Sequence, residues 1–103
     1  MRLALAQINT VVGDLEGNRT RILARLEEAR DAGADLVLLP ELAITGYPPE
    51  DLLLRPAFVA DSCAALDKIA ARTGSTAAVV GFPELLADGN LANSAALCHE
   101  GVV

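Results

Sequence analysis

The stretch Leu36-Val37-Leu38-Leu39-Pro40-Glu41 decides the fold class. Four consecutive apolar residues predict a strand that is covered on both faces, as strands are when helices pack on one side and a second sheet on the other. Pro40 ends this strand, because proline has no backbone N–H to donate to a neighbouring strand. Glu41 therefore stands one residue past the carboxyl end of a buried strand.

The residues before this stretch predict one strand and one helix. Residues 3–8 are mostly apolar and short in extent, which is typical of a strand. Asn18 is expected to cap the following helix, since its side-chain oxygen can accept from a free N–H of the first turn. Gly33 is expected to end the helix in a left-handed conformation. The inner face of this helix is predicted from its spacing: Ile22, Leu26, Ala29 and Gly33.

The residues after this stretch predict a second helix and two more strands. Residues 50–54 are expected to form one helical turn, and Pro56 opens a long helix that ends near Gly74. Residues 77–82 and 94–98 are predicted strands, joined through the turn at residues 88–90. The order strand, helix, strand, helix, strand, strand predicts an α/β fold whose first strands are parallel. The apolar pair at the end of the chain predicts a further strand, so residues 1–103 are expected to be one truncated domain.

Composition and charge exclude several classes of function. With 52% hydrophobic and 21% charged residues, the chain is expected to form a packed core. A net charge of −6 without any basic cluster argues against binding to nucleic acid or to an anionic membrane. Cys63 and Cys98 form no CxxC pair, so neither a disulfide framework nor a metal site is predicted. The start of the chain does not resemble a signal peptide and no run is long enough to span a bilayer, which predicts a cytoplasmic protein.

Glu41 is the residue whose position most suggests chemistry. Catalytic groups in α/β sheets gather at the carboxyl ends of the strands, and a carboxylate partly shielded from water there is suited to act as a general base. The alternative is an ordinary surface glutamate at a strand end. Position alone favours that alternative.

The longer run at residues 38–53 changes this balance. It reads Leu-Leu-Pro-Glu-Leu-Ala-Ile-Thr-Gly-Tyr-Pro-Pro-Glu-Asp-Leu-Leu and resembles the nitrilase (carbon–nitrogen hydrolase) superfamily. Its second half, from Thr45, is similar to the glutaminase domains of glutamine-dependent NAD+ synthetases, as are residues 4–9, residues 12–15 with Asn18, and residues 55–58. The resemblance implies the amino-terminal portion of a nitrilase-like αββα sandwich, a four-layer α/β fold.

The resemblance also implies a mechanism and roles for three residues. In this family a cysteine attacks the side-chain amide of glutamine, a glutamate takes the thiol proton, and a lysine stabilises the oxyanion. Glu41 matches the general base, Tyr47 matches the loop that lines the substrate site, and Asn93 is expected to support the site through hydrogen bonds. The family has an aromatic residue where this chain has Ala92, which weakens the assignment of Asn93; capping of a strand end is the alternative.

The remaining two members of the triad are not expected among these residues. Lys68 lies mid-helix and reads as a solvated surface lysine, whereas Cys63 and Cys98 read as small buried hydrophobic residues. The family pattern places the catalytic lysine and cysteine beyond Val103. The chain alone is therefore predicted to be inactive.

The full-length enzyme implied by the resemblance would pass ammonia from glutamine to a synthetase domain. That domain would use ATP and Mg²⁺ to amidate nicotinic acid adenine dinucleotide, with no cofactor bound by residues 1–103, and the enzyme is expected to be a homo-oligomer. Two alternatives remain open: a stand-alone nitrilase-family amidase, and a non-catalytic scaffold with the same fold.

Overall fold

A computed structural model describes all residues, 1–103, and shows one four-stranded sheet with two helices. The elements in chain order are β1 (Leu3–Leu5), α1 (Leu15–Asp31), β2 (Leu36–Leu38), a 3-10 helix (Glu50–Leu54), α2 (Pro56–Ala71), β3 (Ala77–Leu85) and β4 (Leu91–Cys98). The strands follow one another in the order β1-β2-β3-β4, with the first three parallel and β4 antiparallel to β3. The predicted α/β class and the parallel start of the sheet are confirmed.

Both helices contribute their apolar sides to a single core against one face of the sheet. Ile22 of α1 and Ile69 of α2 are completely buried, as is Val80 of β3. Alternate residues of each strand point to this core, so that Val37 is buried while its neighbours in β2 are only half-buried. Since α2 begins with Pro56 at its first position, the helix starts where the sequence predicts.

The opposite face of the sheet carries apolar side chains that the helices do not cover. Leu5 and Leu97 are 72% and 59% exposed, and Leu38 and Val79 lie between them in register. The four-layer αββα sandwich that the resemblance implies would place a second sheet on this face. No helix of the chain combines the length and the apolar character needed to cross a bilayer.

The start of α1 differs from the prediction. Asp14 is the N-cap, and its Oδ1 accepts from the N–H of Gly17 at 3.0 Å, so the assignment of the cap to Asn18 is wrong. Asn18 lies inside the first turn and is completely buried. Asp14 takes the cap position because it also has a suitable side-chain oxygen and stands four positions earlier, whereas the amide of Asn18 is hydrogen-bonded to other parts of the chain. The predicted stop is confirmed, since Gly33 follows the helix with a φ of 75°.

The last two strands are longer than predicted. β3 continues through Pro83 to Leu85, and β4 begins at Leu91 and not at residue 94. Proline is tolerated inside β3 because β2 ends opposite Val79, so no neighbouring strand on that side needs the missing N–H. The consequence for the site is that Asn93 lies within β4, paired with Pro83.

Candidate active site

The segment that carries Glu41, residues 40–46, is irregular but mostly buried. Directly after it, residues 42–45 form turns, and each of them is at most 5% exposed. Leu42 has a φ of 48°, a left-handed conformation that turns the chain back over the sheet. Glu41 itself is exposed. Within residues 1–103 the expected partial shielding of its carboxylate is not seen, because the following side chains take the buried positions and Glu41 points away from the core.

Glu41 is joined to β4 by a side-chain hydrogen bond. Nδ2 of Asn93 donates to Oε1 of Glu41 at 2.5 Å, although 52 positions separate the two residues. Asn93 belongs to the exposed set of alternate residues in β4, whereas Ala96 and Cys98 are buried against the helices. The pair therefore lies on the side of the sheet that faces away from α1 and α2. Two of the three residues singled out by the sequence meet here.

Gly81 of β3 lies directly beneath the backbone of the Glu41 segment. A Cβ built on Gly81 would lie 2.5 Å from the backbone nitrogen of Leu42 and 3.0 Å from the carbonyl oxygen of Pro40. Only a residue without a side chain allows the chain to lie this close to the strand. Sequence reasoning missed this role, although a glycine inside a strand of β-branched and aromatic neighbours is a known signal for close backbone approach.

Tyr47 lies in the loop that continues from this segment. Its side chain is 62% exposed, and the Tyr47-Pro48 peptide bond is cis. The hydrogen bonds of the structure join Tyr47 to neither Glu41 nor Asn93. The loop presents an aromatic ring at the surface on the carboxyl side of β2.

Neither cysteine lies in an environment that suits a catalytic nucleophile. Cys98 is completely buried in the core, and Cys63 on α2 is half-buried. Burial raises the pKa of both thiols, and the nearby Asp67 carboxylate raises the pKa further. A raised pKa keeps a thiol protonated and poorly nucleophilic. Lys68 is exposed on α2 and belongs to the helix layer, not to the side of Glu41.

We expect both cysteines to react slowly with iodoacetamide at pH 7. Because the pKa of each thiol is raised, the reactive thiolate is scarce at this pH, and the rate for Cys63 should keep rising at alkaline pH beyond the point at which free cysteine levels off. Cys98 should stay unmodified until the protein is unfolded in urea. Mass spectrometry of the two cysteine-containing peptides measures this. Rapid labelling of either cysteine at pH 7 would contradict the assignment of both as inert.

Comparison with known proteins places this geometry in a family. The family model described as "Carbon-nitrogen hydrolase" matches residues 2–101. A curated relative from Xylella fastidiosa (strain Temecula1 / ATCC 700964), "Glutamine-dependent NAD(+) synthetase", is 53% identical over 85 residues, which are 82% of this chain and 16% of that protein.

Solved structures give the same result. A glutamine-dependent NAD(+) synthetase from Cytophaga hutchinsonii superposes with a TM-score of 0.94 at 33% identity, over 99% of this chain and 17% of that one. An amidase from Nesterenkonia sp. superposes with a TM-score of 0.78 at 28% identity, over 94% of this chain and 37% of that one. The chain thus spans less than a fifth of the synthetases. It shares the nitrilase fold of both structures and belongs to the carbon–nitrogen hydrolase family.

Proposed function

We propose that residues 1–103 are the amino-terminal part of a glutaminase domain whose general base is Glu41. In the full-length enzyme, ammonia released from glutamine would amidate nicotinic acid adenine dinucleotide to NAD+. The observation that carries the proposal is the Glu41 carboxylate, held by Asn93 at the carboxyl end of β2. The similarity to glutamine-dependent NAD+ synthetases supports glutamine as the substrate.

The two carboxylate oxygens of Glu41 would have different tasks. Oε1 accepts from Asn93, which leaves Oε2 free to take the proton of a cysteine thiol. The thiolate then forms a bond to the amide carbon of glutamine, and the oxyanion that develops is stabilised by a lysine. Protonated Glu41 returns its proton to the departing ammonia, and water afterwards cleaves the thioester to release glutamate. The cysteine and lysine are expected beyond Val103.

Tyr47 is proposed to contact the substrate. Its exposed ring lies in the loop that leaves the Glu41 segment through Gly46. An aromatic ring beside the site can cover the methylene groups of glutamine and exclude water from the thioester.

The remaining features of the full-length enzyme are proposals of the same kind. A synthetase domain would bind ATP with Mg²⁺ and the dinucleotide, and the enzyme would work as a homo-oligomer. Two unpaired thiols fit a reducing compartment, which favours the cytoplasm. An apolar sheet face with half-buried and exposed leucines supports the view that residues 1–103 are only part of a domain.

The test uses the full-length enzyme and glutamine labelled with ¹⁵N in the side-chain amide. With ATP, Mg²⁺ and nicotinic acid adenine dinucleotide, we expect the label to appear in the carboxamide of NAD+, as measured by mass spectrometry. Label that appears only as free ammonium, with no NAD+ formed, would support a stand-alone amidase, the alternative favoured by the similarity to the Nesterenkonia amidase. Absence of both products would support the non-catalytic scaffold.

We expect Asn93→Ala to lower kcat for glutamine hydrolysis by up to about tenfold, because an exposed hydrogen bond to a carboxylate contributes at the lower end of its usual range. Steady-state ammonium release by the full-length enzyme measures this. Asn90→Ala is the matched control, since Asn90 donates to Asp88 at 3.1 Å in the turn of the same hairpin. Equal rates for the wild type and both variants would remove Asn93 from the site.

A further inference from the structure

We propose that Asn18 is a positioning residue that fixes the segment carrying Glu41. The inference rests on the proposed function for the role of Glu41 as base, and on the geometry for everything else. Asn18 is completely buried in the first turn of α1, and it is not the N-cap of that helix. A buried amide must find partners for its oxygen and its nitrogen, and the partners that Asn18 finds show what it holds.

The side chain of Asn18 joins three parts of the chain. Its Oδ1 accepts from the N–H of Val11 at 2.8 Å and from Nη1 of Arg21 at 3.4 Å, and its Nδ2 donates to the carbonyl of Val11 at 2.8 Å. The second N–H of the same Nδ2 is available to the carbonyl of Ile44, which lies 3.0 Å away. One amide therefore links α1, the loop before it and the Glu41 segment.

The Glu41 segment needs such partners because it is buried without being helix or strand. Buried carbonyls that lack a regular ladder must be paired by other groups. The carbonyl of Ile44 is paired by Asn18, and the carbonyl of Thr45 accepts from the N–H of Gly13 at 2.9 Å. Both partners come from residues 11–18. This loop and the start of α1 therefore support the segment, while β3 and β4 contact it at Gly81 and Asn93.

The two segments also touch backbone to backbone. A Cβ built on Gly46 would lie 2.8 Å from both Cα and N of Val12, and Gly46 has a φ of 77°. No side chain fits between them, so this contact and the hydrogen bonds of Asn18 together hold the segment against the loop before α1. Ile44 is three positions from Glu41, which makes the position of the carboxylate sensitive to this contact.

We expect Asn18→Asp to displace Glu41 without removing it. Aspartate keeps the size of the side chain and the acceptor for Val11, but it turns a carboxylate oxygen towards the carbonyls of Val11 and Ile44, which lose their donor. A displacement of about 1 Å at a catalytic group can cost about 10²-fold in rate. The expected result is a kcat for glutamine hydrolysis that is about 10- to 100-fold lower, with a much smaller change in KM. Synthesis of NAD+ from added ammonia should stay at the wild-type rate.

The decisive measurement is a double-mutant cycle in the full-length enzyme with Asn18→Asp and Glu41→Gln. If Asn18 acts through Glu41, then Asn18→Asp lowers kcat in the wild type and has little further effect once Glu41 is replaced. Losses that multiply would overturn the positioning role, and so would an unchanged kcat in Asn18→Asp. A wild type that hydrolyses no glutamine would instead overturn the proposed function.

Two further variants separate positioning from stability. Thr76→Val is the matched control: Thr76 is buried, and its Oγ1 donates to the carbonyl of Ala34 at 2.9 Å just before β3, five positions before Gly81. It should lower the thermal stability and leave kcat unchanged. Gly46→Ala pushes the same two segments apart and leaves the side chain of Asn18 unchanged. If Asn18→Asp does not fold, Gly46→Ala takes its place in the double-mutant cycle with Glu41→Gln.

Discussion

Replacement of Glu41 by glutamine is expected to lower kcat for glutamine hydrolysis by the full-length enzyme by about 10²- to 10⁴-fold, the usual contribution of a positioned general base. Glutamine has the same shape as glutamate, and its oxygen can still accept from Asn93, so the fold and the loop should be preserved. What it loses is the ability to take a proton from the thiol. Ammonium release from glutamine, measured against synthesis of NAD+ from added ammonia, isolates this step.

Glu27→Gln is the control for this substitution. Glu27 is an exposed glutamate of α1 whose ion pair with Arg30, at 3.8 Å, is a surface contact of small energy. Glu27→Gln should leave both glutamine hydrolysis and the synthesis of NAD+ from added ammonia unchanged. If Glu41→Gln retained the wild-type rate from glutamine, Glu41 would not be the base, and the scaffold interpretation would gain support.

Gly81→Ala is the second change from which we expect a large effect. Its methyl group would lie 2.5 Å from the nitrogen of Leu42, a backbone atom that cannot move aside as a side chain can. Forcing an added carbon into a packed site typically costs about 1–3 kcal/mol. Since Glu41 directly precedes Leu42, we also expect the rate of glutamine hydrolysis to fall by at least about tenfold, because the carboxylate moves with its backbone.

Gly74→Ala is the matched control for Gly81→Ala. No atom lies within 4 Å of a Cβ built on Gly74, and its φ is not in the left-handed region. Alanine there should be neutral or stabilise the fold by about 0.4–1 kcal/mol, because it restricts the unfolded chain. Urea unfolding and ammonium release of the two variants test this together. Similar unfolding midpoints for both would show that the Glu41 segment is not held against β3.

Much of the fold followed from local patterns. The apolar run at residues 36–39 with Pro40, the proline at position 56 and the glycine at position 33 each act within a few residues, so the order of strands and helices was predictable. The bounds of β3 were not, because a proline usually ends a strand. Pro83 is accepted only because β2 is too short to reach it, and the length of a neighbouring strand is a property of the assembled sheet.

The candidate site was predicted only in part. The sequence pointed to Glu41 and Asn93, but a hydrogen bond across 52 positions forms because β2 pairs with β3 and β3 with β4, and not through any local preference. The cap assigned to Asn18 was wrong because capping residues are chosen by geometry, and Asp14 and Asn18 offer similar side-chain oxygens. The role of Gly81 was overlooked because the chain segment whose close approach requires a glycine there is 40 positions away in the sequence.

By itself, the sequence determined that this chain builds parallel strands with helices between them and ends a buried strand in Pro40-Glu41. Those features depend on hydrophobic spacing and on the fixed conformational limits of proline and glycine, which act locally. The tertiary structure alone decided that Glu41 is exposed, that Asn93 holds one of its oxygens, and that Asn18 and Gly81 support the segment beneath it. The reason is that a buried irregular segment must pair its polar groups with whatever the fold brings near, and nearness in space is set by packing.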